Sequence, residues 1–165
     1  MISHKKLTEL VSYDQNTGLF TRLKRTAPRT NPGELAGNKN NKGYIRLMLN
    51  CKNYQAHRLV WFYVTGFWPK KQIDHINGVK TDNRIANLRL ANGYESQQNR
   101  KLNKNNTSGH HGVSYDKNVK KWRARIKANG VRVSCGFYVS PEDASMAYLS
   151  AKGKLHTFNP TTRVV

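Results

Sequence analysis

The chain has 165 residues and is 37% hydrophobic, which suits one ordinary domain or two small ones and leaves no room for a large single core. Its 29 Lys and Arg against 9 Asp and Glu give a formal charge of +20, which favours a polyanionic partner, either nucleic acid or an anionic membrane surface. A run of about 18 apolar residues and a long basic amphipathic helix are both missing from the pattern, so the membrane is disfavoured.

Residues 1–99 hold 16 basic and 6 acidic residues, and residues 100–165 hold 13 and 3. Contact with a polyanion is therefore expected along the whole chain, not at one tail. Met1–Leu10 is polar and charged where a signal peptide needs an apolar stretch, so a cytoplasmic location is expected. Cys51 and Cys135 lie far apart, form neither a disulfide framework nor a CxxC zinc site, and read as small buried residues.

In chain order, the turn Asp14-Gln15-Asn16-Thr17-Gly18 precedes a short strand at Leu19–Leu23. Tyr44–Leu49 alternates, with Ile45, Leu47 and Leu49 on one side. Asn50–Asn53 is a turn, and Tyr54–Ala56 returns as a hairpin partner. His57–Thr65 is densely apolar, and the stop at Gly66 and Pro69 favours a helix over a strand. A second helix is expected from Gly93 to about Leu102. Lys101–Ser108, rich in Asn and Lys without apolar periodicity, reads as a linker.

Chemistry concentrates in Ile73–Asn99. Ile73-Asp74-His75-Ile76-Asn77-Gly78 sets an acid and a histidine ahead of an Asn-Gly pair that suits a two-residue hairpin turn. Neighbours on a strand point to opposite faces, so Asp74 and His75 diverge unless the backbone is irregular. Asn83, Asn87-Leu88-Arg89, Ser96 and Asn99 follow. An Asp-His pair in a polar loop is by itself more often structural than catalytic, and the charge shifts that balance.

From Ala56-His57-Arg58-Leu59-Val60-Trp61 through Ile73–Gly78 to Asn83, Asn87-Leu88-Arg89 and Asn99, the sequence resembles the HNH nucleases of phages, homing endonucleases included. The resemblance spans nearly all of residues 1–100. It implies a ββα-metal fold, cleavage of double-stranded DNA in the bacterial host cytosol, and no small-molecule substrate. His75 is then the general base, since a neutral imidazole titrating near 6.5 suits proton abstraction from water. Asp74 binds a divalent cation, Mg²⁺ with Mn²⁺ as a substitute. Asn87 braces the loop and keeps His75 oriented, and His57 anchors the helix to the hairpin. Relatives place Asn or His on the helix as a further metal ligand where this chain has Ser96. A Ser hydroxyl is a weaker ligand, and Asn99, three residues on and on the same helix face, is the alternative.

Beyond the linker, His111–Cys135 reads as three strands. Trp122, Ala124 and Ile126 take one face, and Arg123, Arg125 and Lys127 the other. After the turn Ala128-Asn129-Gly130, Val131, Val133 and Cys135 point inward, with Arg132 and Ser134 outward. Ser140-Pro141-Glu142-Asp143 starts a helix, Ser140 being its N-cap. Ala144, Ala147, Tyr148 and Ala151 form the helix's apolar stripe. Ser108–Tyr115, Trp122–Ile126 and Ala144–His156 resemble the APETALA/ethylene-response-factor DNA-binding domain. That resemblance implies a sheet laid in the major groove, with Arg123, Arg125, Lys127 and Arg132 on the DNA side. Ser114 and Asp116 stand where plant members often carry Arg, so the plant target does not transfer.

The expected architecture is α+β. A nuclease domain over 1–100 has a β-rich part at about 1–55 and a ββα-metal core at about 56–100. A linker over 101–108 leads to a three-stranded sheet with one helix over 109–160. The expected function is sequence-directed, metal-dependent DNA cleavage; the alternative is a DNA-binding regulator with a degenerate nuclease centre.

Overall fold

The computed structural model describes residues 1–25, 28–99 and 102–156. It is a mixed α/β chain of small antiparallel sheets with four helices among the described residues. It divides into two compact units, 1–91 and 92–165; the expected domain boundary at residue 100 and the start of the linker lie outside the described residues.

The first unit opens with α1 (His4–Leu10), whose Ser3 side chain accepts from Lys6 N. This helix is not among the sequence expectations. β1 (Val11–Asp14), β2 (Leu19–Arg22) and β3 (Leu35–Ala36) form one sheet, and β4 (Asn38–Lys39), β5 (Ile45–Leu49) and β6 (Lys52–Gln55) another. Asn50 and Cys51 join β5 to β6 with φ of 48° and 58°. A two-residue hairpin with positive φ at both positions twists with its strands, and it places Cys51 in solvent. The expectation of a buried Cys51 is thus corrected; Cys135 is half-buried.

α2 (Ala56–Thr65) takes the expected helical form and stops at Gly66, whose φ of 75° is left-handed. Leu59, Val60 and Phe62 from α2 join Leu7, Leu10, Val11, Phe20, Leu47 and Leu49 in one core. β7 (Gln72–His75) and β8 (Leu88–Ala91) pair regularly, Asp74 opposite Arg89 and His75 opposite Leu88. They are joined by residues 76–87, which include a 3₁₀ turn at Ile85–Asn87. Asn77-Gly78 therefore does not close a two-residue hairpin. The Asn77 side chain serves the longer loop instead: its Nδ2 donates to Asp82 Oδ2 at 2.7 Å, and its Oδ1 accepts from Val79 N at 2.8 Å.

In the second unit, α3 (Gly93–Gln98) starts with a capping box between Asn92 and Glu95. It ends four residues short of the expected Leu102. The expected linker is ordered locally about Ser108, whose Oγ donates to Val113 O at 2.9 Å and accepts from His110 N at 3.2 Å. β9 (Val113–Asp116), β10 (Lys121–Ala128) and β11 (Val131–Tyr138) form a sheet in the order β11-β10-β9. Against it packs α4 (Pro141–Leu155), capped by Ser140 as expected. Ala144, Ala124 and Val113 make the buried centre.

Val131 and Val133 are exposed, against expectation. They share the sheet face with Ala128 and Ile126, opposite which they pair, but β11 is an edge strand. The small Ala147 and Ala151 of α4 leave a groove of about 370 Å³ beside Val133 and Cys135 instead of covering it.

Gly112 fixes the contact between the sheet and α4. Its φ is +70°, and a Cβ there would lie 2.3 Å from the Tyr148 ring and 2.6 Å from Arg125 O. Gly112→Ala is expected to destabilise the second unit by about 2–4 kcal/mol, from left-handed strain plus overpacking. Gly130→Ala shares the positive φ but meets open space, so its effect in urea unfolding should be the smaller. Equal losses for the two would refute the packing argument.

Candidate active site

His75 ends β7 and is buried, 4% exposed. Its Nε2 lies 3.2 Å from Asn83 Oδ1. The Asn83 amide is oriented by Nδ2 donating to Thr81 O at 3.3 Å, so the atom facing the imidazole is the oxygen. Nε2 therefore carries the proton and donates, and Nδ1 keeps its lone pair. The ring packs edge-on to His57 at 5.3 Å between centroids and tilted against Tyr44 at 5.9 Å. Burial holds the His75 pKa below the usual histidine value, against the Asn83 hydrogen bond and the Asp74 and Asp82 charges that raise it. The side chain is a neutral base of defined tautomer.

The loop that supplies Asn83 is held from both sides. Asn87, expected to brace it, accepts from Asn77 N at 3.0 Å and donates to Asn77 Oδ1 at 3.0 Å and Asp82 O at 2.8 Å. The imidazole itself is bonded by Asn83, so Asn87 acts on His75 through the loop. The Arg84 guanidinium beside Asp82, at 2.6 Å, holds that carboxyl down at about 2. From β1, the Tyr13 hydroxyl donates to Asn83 O at 3.0 Å and accepts from Ile85 N at 2.9 Å. Gly18 closes the approach: a Cβ there would lie 2.5 Å from Arg84 N. Tyr13 and Gly18 escaped the sequence reading because their partners lie some seventy residues away. Asn83 was visible in the motif, but its role was not.

Asp74 and His75 occupy successive positions of a regular strand pair and take opposite faces. Across from Asp74 on β8, Arg89 donates twice to the same oxygen, Nε at 3.1 Å and Nη2 at 2.8 Å from Oδ2. The two side chains are 16% and 19% exposed. Ser96 and Asn99 belong to the second unit: Ser96 N donates to Asn92 O on α3, and Asn99, its C-cap, is buried.

The donor set about Asp74 can be tested against a divalent cation. Among the described residues no group of three or more His, Cys, Asp or Glu could cage one. A single half-buried carboxylate on a hairpin fits a hard cation that takes one protein carboxylate and draws its remaining oxygens from substrate phosphate and water, the habit of Mg²⁺.

His57, at the start of α2, packs on Tyr44 at 5.3 Å as well as on His75. It anchors the helix through ring contacts, and its buried Nδ1 has no hydrogen-bond partner. Burial, with smaller contributions from His75 and Arg58, pushes its pKa down to about 4. An unfolded histidine titrates near 6.5, so between those values the unfolded chain binds the proton and the folded chain does not. Stability should therefore fall as pH drops from about 6.5 to about 4, by up to on the order of 3 kcal/mol from this residue. The lowered pKa of His75 acts in the same direction. Urea unfolding at several pH values tests this: His57→Phe should flatten the acid loss, and a wild-type curve level from pH 7 to 4.5 would refute it.

In the second unit the outward face of the sheet carries the expected cations. Arg125, Lys127 and Arg132 are exposed, and with Gly112, Val113 and Ser114 they line a shallow depression of about 320 Å³. Lys127 and Arg132 sit directly opposite one another, an arrangement of like charges that is unfavourable until an anion covers it. Arg123 differs. Its Nη1 lies 3.3 Å from Asp116 Oδ2, and its guanidinium stands 5.9 Å over the Phe137 ring.

Residues 54–98 match the family model described as HNH endonuclease. The chain is 41% identical over 77 residues to Protein 3.8 of Escherichia phage T7, a match covering 46% of this chain and 64% of that protein. The match thus spans less than two thirds of that relative. Among solved structures, an alignment to the HNH homing endonuclease I-HmuI, solved in a study of DNA binding and cleavage, covers 93% of this chain and 82% of that one at 19% identity and a TM-score of 0.44.

Proposed function

We propose that the chain is a sequence-directed, homing-type DNA endonuclease that hydrolyses phosphodiester bonds in double-stranded DNA. The observation that carries this reading is His75: a buried neutral imidazole of fixed tautomer, inside the segment that matches the HNH endonuclease model. The His75 imidazole takes the proton of the attacking water, and Asn83, at 3.2 Å from its Nε2, keeps the ring oriented. Asp74 would hold the divalent cation, Mg²⁺ or Mn²⁺; when bound, the cation supplies charge neutralisation at the phosphate and the leaving 3′ oxygen. Arg125, Lys127 and Arg132 contact DNA from the second unit, whose sheet follows the APETALA/ethylene-response-factor pattern in this reading. Arg123 serves the sheet through Asp116 rather than the DNA.

Relaxation of supercoiled plasmid tests the proposal. Nicked or linear product should appear with Mg²⁺ and disappear in EDTA. A second reading, a DNA-binding regulator without cleavage, is favoured by the ion pair that Arg89 makes with Asp74. Tight duplex binding with no cleavage in Mg²⁺ or Mn²⁺ would decide for it.

A further inference from the structure

Arg89 gives the Asp74 carboxylate two hydrogen bonds from directly across the strand pair. A guanidinium so placed competes with any cation for the same oxygen. The same planar fork fits a phosphate, and a partly exposed arginine on a hairpin can exchange one anion for another. We propose that Arg89 is a latch on Asp74: it holds the carboxylate in the free protein, and a DNA phosphate draws it away, so that divalent cation and DNA bind cooperatively.

The proposal rests on the reading of Asp74 as the cation ligand and not on cleavage itself. It accounts for two observations together. Asp74 is the lone acidic residue of its strand pair, and in the free protein it is already paired with the partly exposed Arg89 across the strands. A latch of this kind keeps the carboxylate from collecting cations away from DNA. By linkage the effect is reciprocal: whatever factor DNA adds to cation affinity, the cation adds to DNA affinity.

Mn²⁺ binding to the full chain without DNA, followed by the paramagnetic signal of free Mn²⁺, reads the latch directly. Arg89→Met should bind Mn²⁺ about tenfold or more tightly than the wild type, the scale of one charge-assisted hydrogen bond. The gain should vanish in Arg89→Met/Asp74→Asn. Arg89→Lys, which keeps charge and stem but not the fork, should show a smaller gain and serves if the Met variant melts early. In a His75→Ala background, which removes the proposed base, a short duplex should tighten Mn²⁺ binding, and Arg89→Met should weaken that coupling. No gain in either Arg89 variant, or a gain that survives Asp74→Asn, overturns the latch. Plasmid cleavage keeps the two readings apart. An Asp74-dependent gain without any cleavage supports the latch and removes the nuclease; cleavage with unchanged Mn²⁺ affinity removes the latch and leaves the nuclease.

Discussion

His75→Ala is expected to lower the single-turnover rate of DNA cleavage by about 10²–10⁴-fold, the usual contribution of a positioned general base, while duplex affinity stays near that of the wild type. The side chain is buried between His57 and Tyr44, so truncation also opens space in the first unit. A melting curve must accompany the rate, since a merely structural residue would lower stability and rate together. The pH profile separates the two roles more sharply. A base whose pKa lies below the usual histidine value places the acid limb of the single-turnover rate below about pH 6.5. Asn83→Ala removes the hydrogen bond that raises the His75 pKa and frees the tautomer. It should therefore cost rate while moving the limb further to acid. Near-normal cleavage by His75→Ala would discard the assignment, whatever the metal dependence.

Replacing Arg125, Lys127 and Arg132 together by alanine should weaken duplex binding by about a hundredfold or more, at roughly 1–3 kcal/mol for each contact made. The three side chains share one exposed face, and Lys127 faces Arg132 across the strands. Relief of that repulsion should leave the second unit no less stable. If all three hold phosphates, the log–log salt slope should fall by about 2.7. If some read base edges, the slope changes less and preference among sites is lost instead. Arg123→Ala is the contrasting variant: its partner is Asp116, so it should disturb the sheet and leave the salt slope nearly unchanged. A triple variant with wild-type affinity, slope and site preference would move recognition to the first unit.

Several elements were legible because their causes are local. The alternation of Trp122–Ile126, the Ser140 cap with Pro141, and the Gly66 stop each act within a few residues, and β10, α4 and α2 follow. Local too is the divergence of Asp74 and His75, which the period of a strand dictates. The composition alone points to a polyanionic partner. What the sequence left open were the pairings between distant segments. An alternating strand does not reveal that it lies at an edge, so Val131 and Val133 read as core and are exposed. The Asn77-Gly78 pair is compatible with a tight turn, yet the loop runs on to Asn87, because its Asn and Asp side chains satisfy one another over that length. Asp74 and His75 are visible as residue types, but whether a carboxylate faces solvent or a guanidinium, and which nitrogen of an imidazole holds the proton, depend on what stands opposite. Arg89 is opposite Asp74 because of strand register, and Asn83 reaches His75 because Tyr13 and Gly18 hold its loop from the N-terminal hairpin. The chemistry was written in residue types; its direction was decided by contacts between residues 8 to 70 positions apart, which only the folded chain brings within hydrogen-bond range.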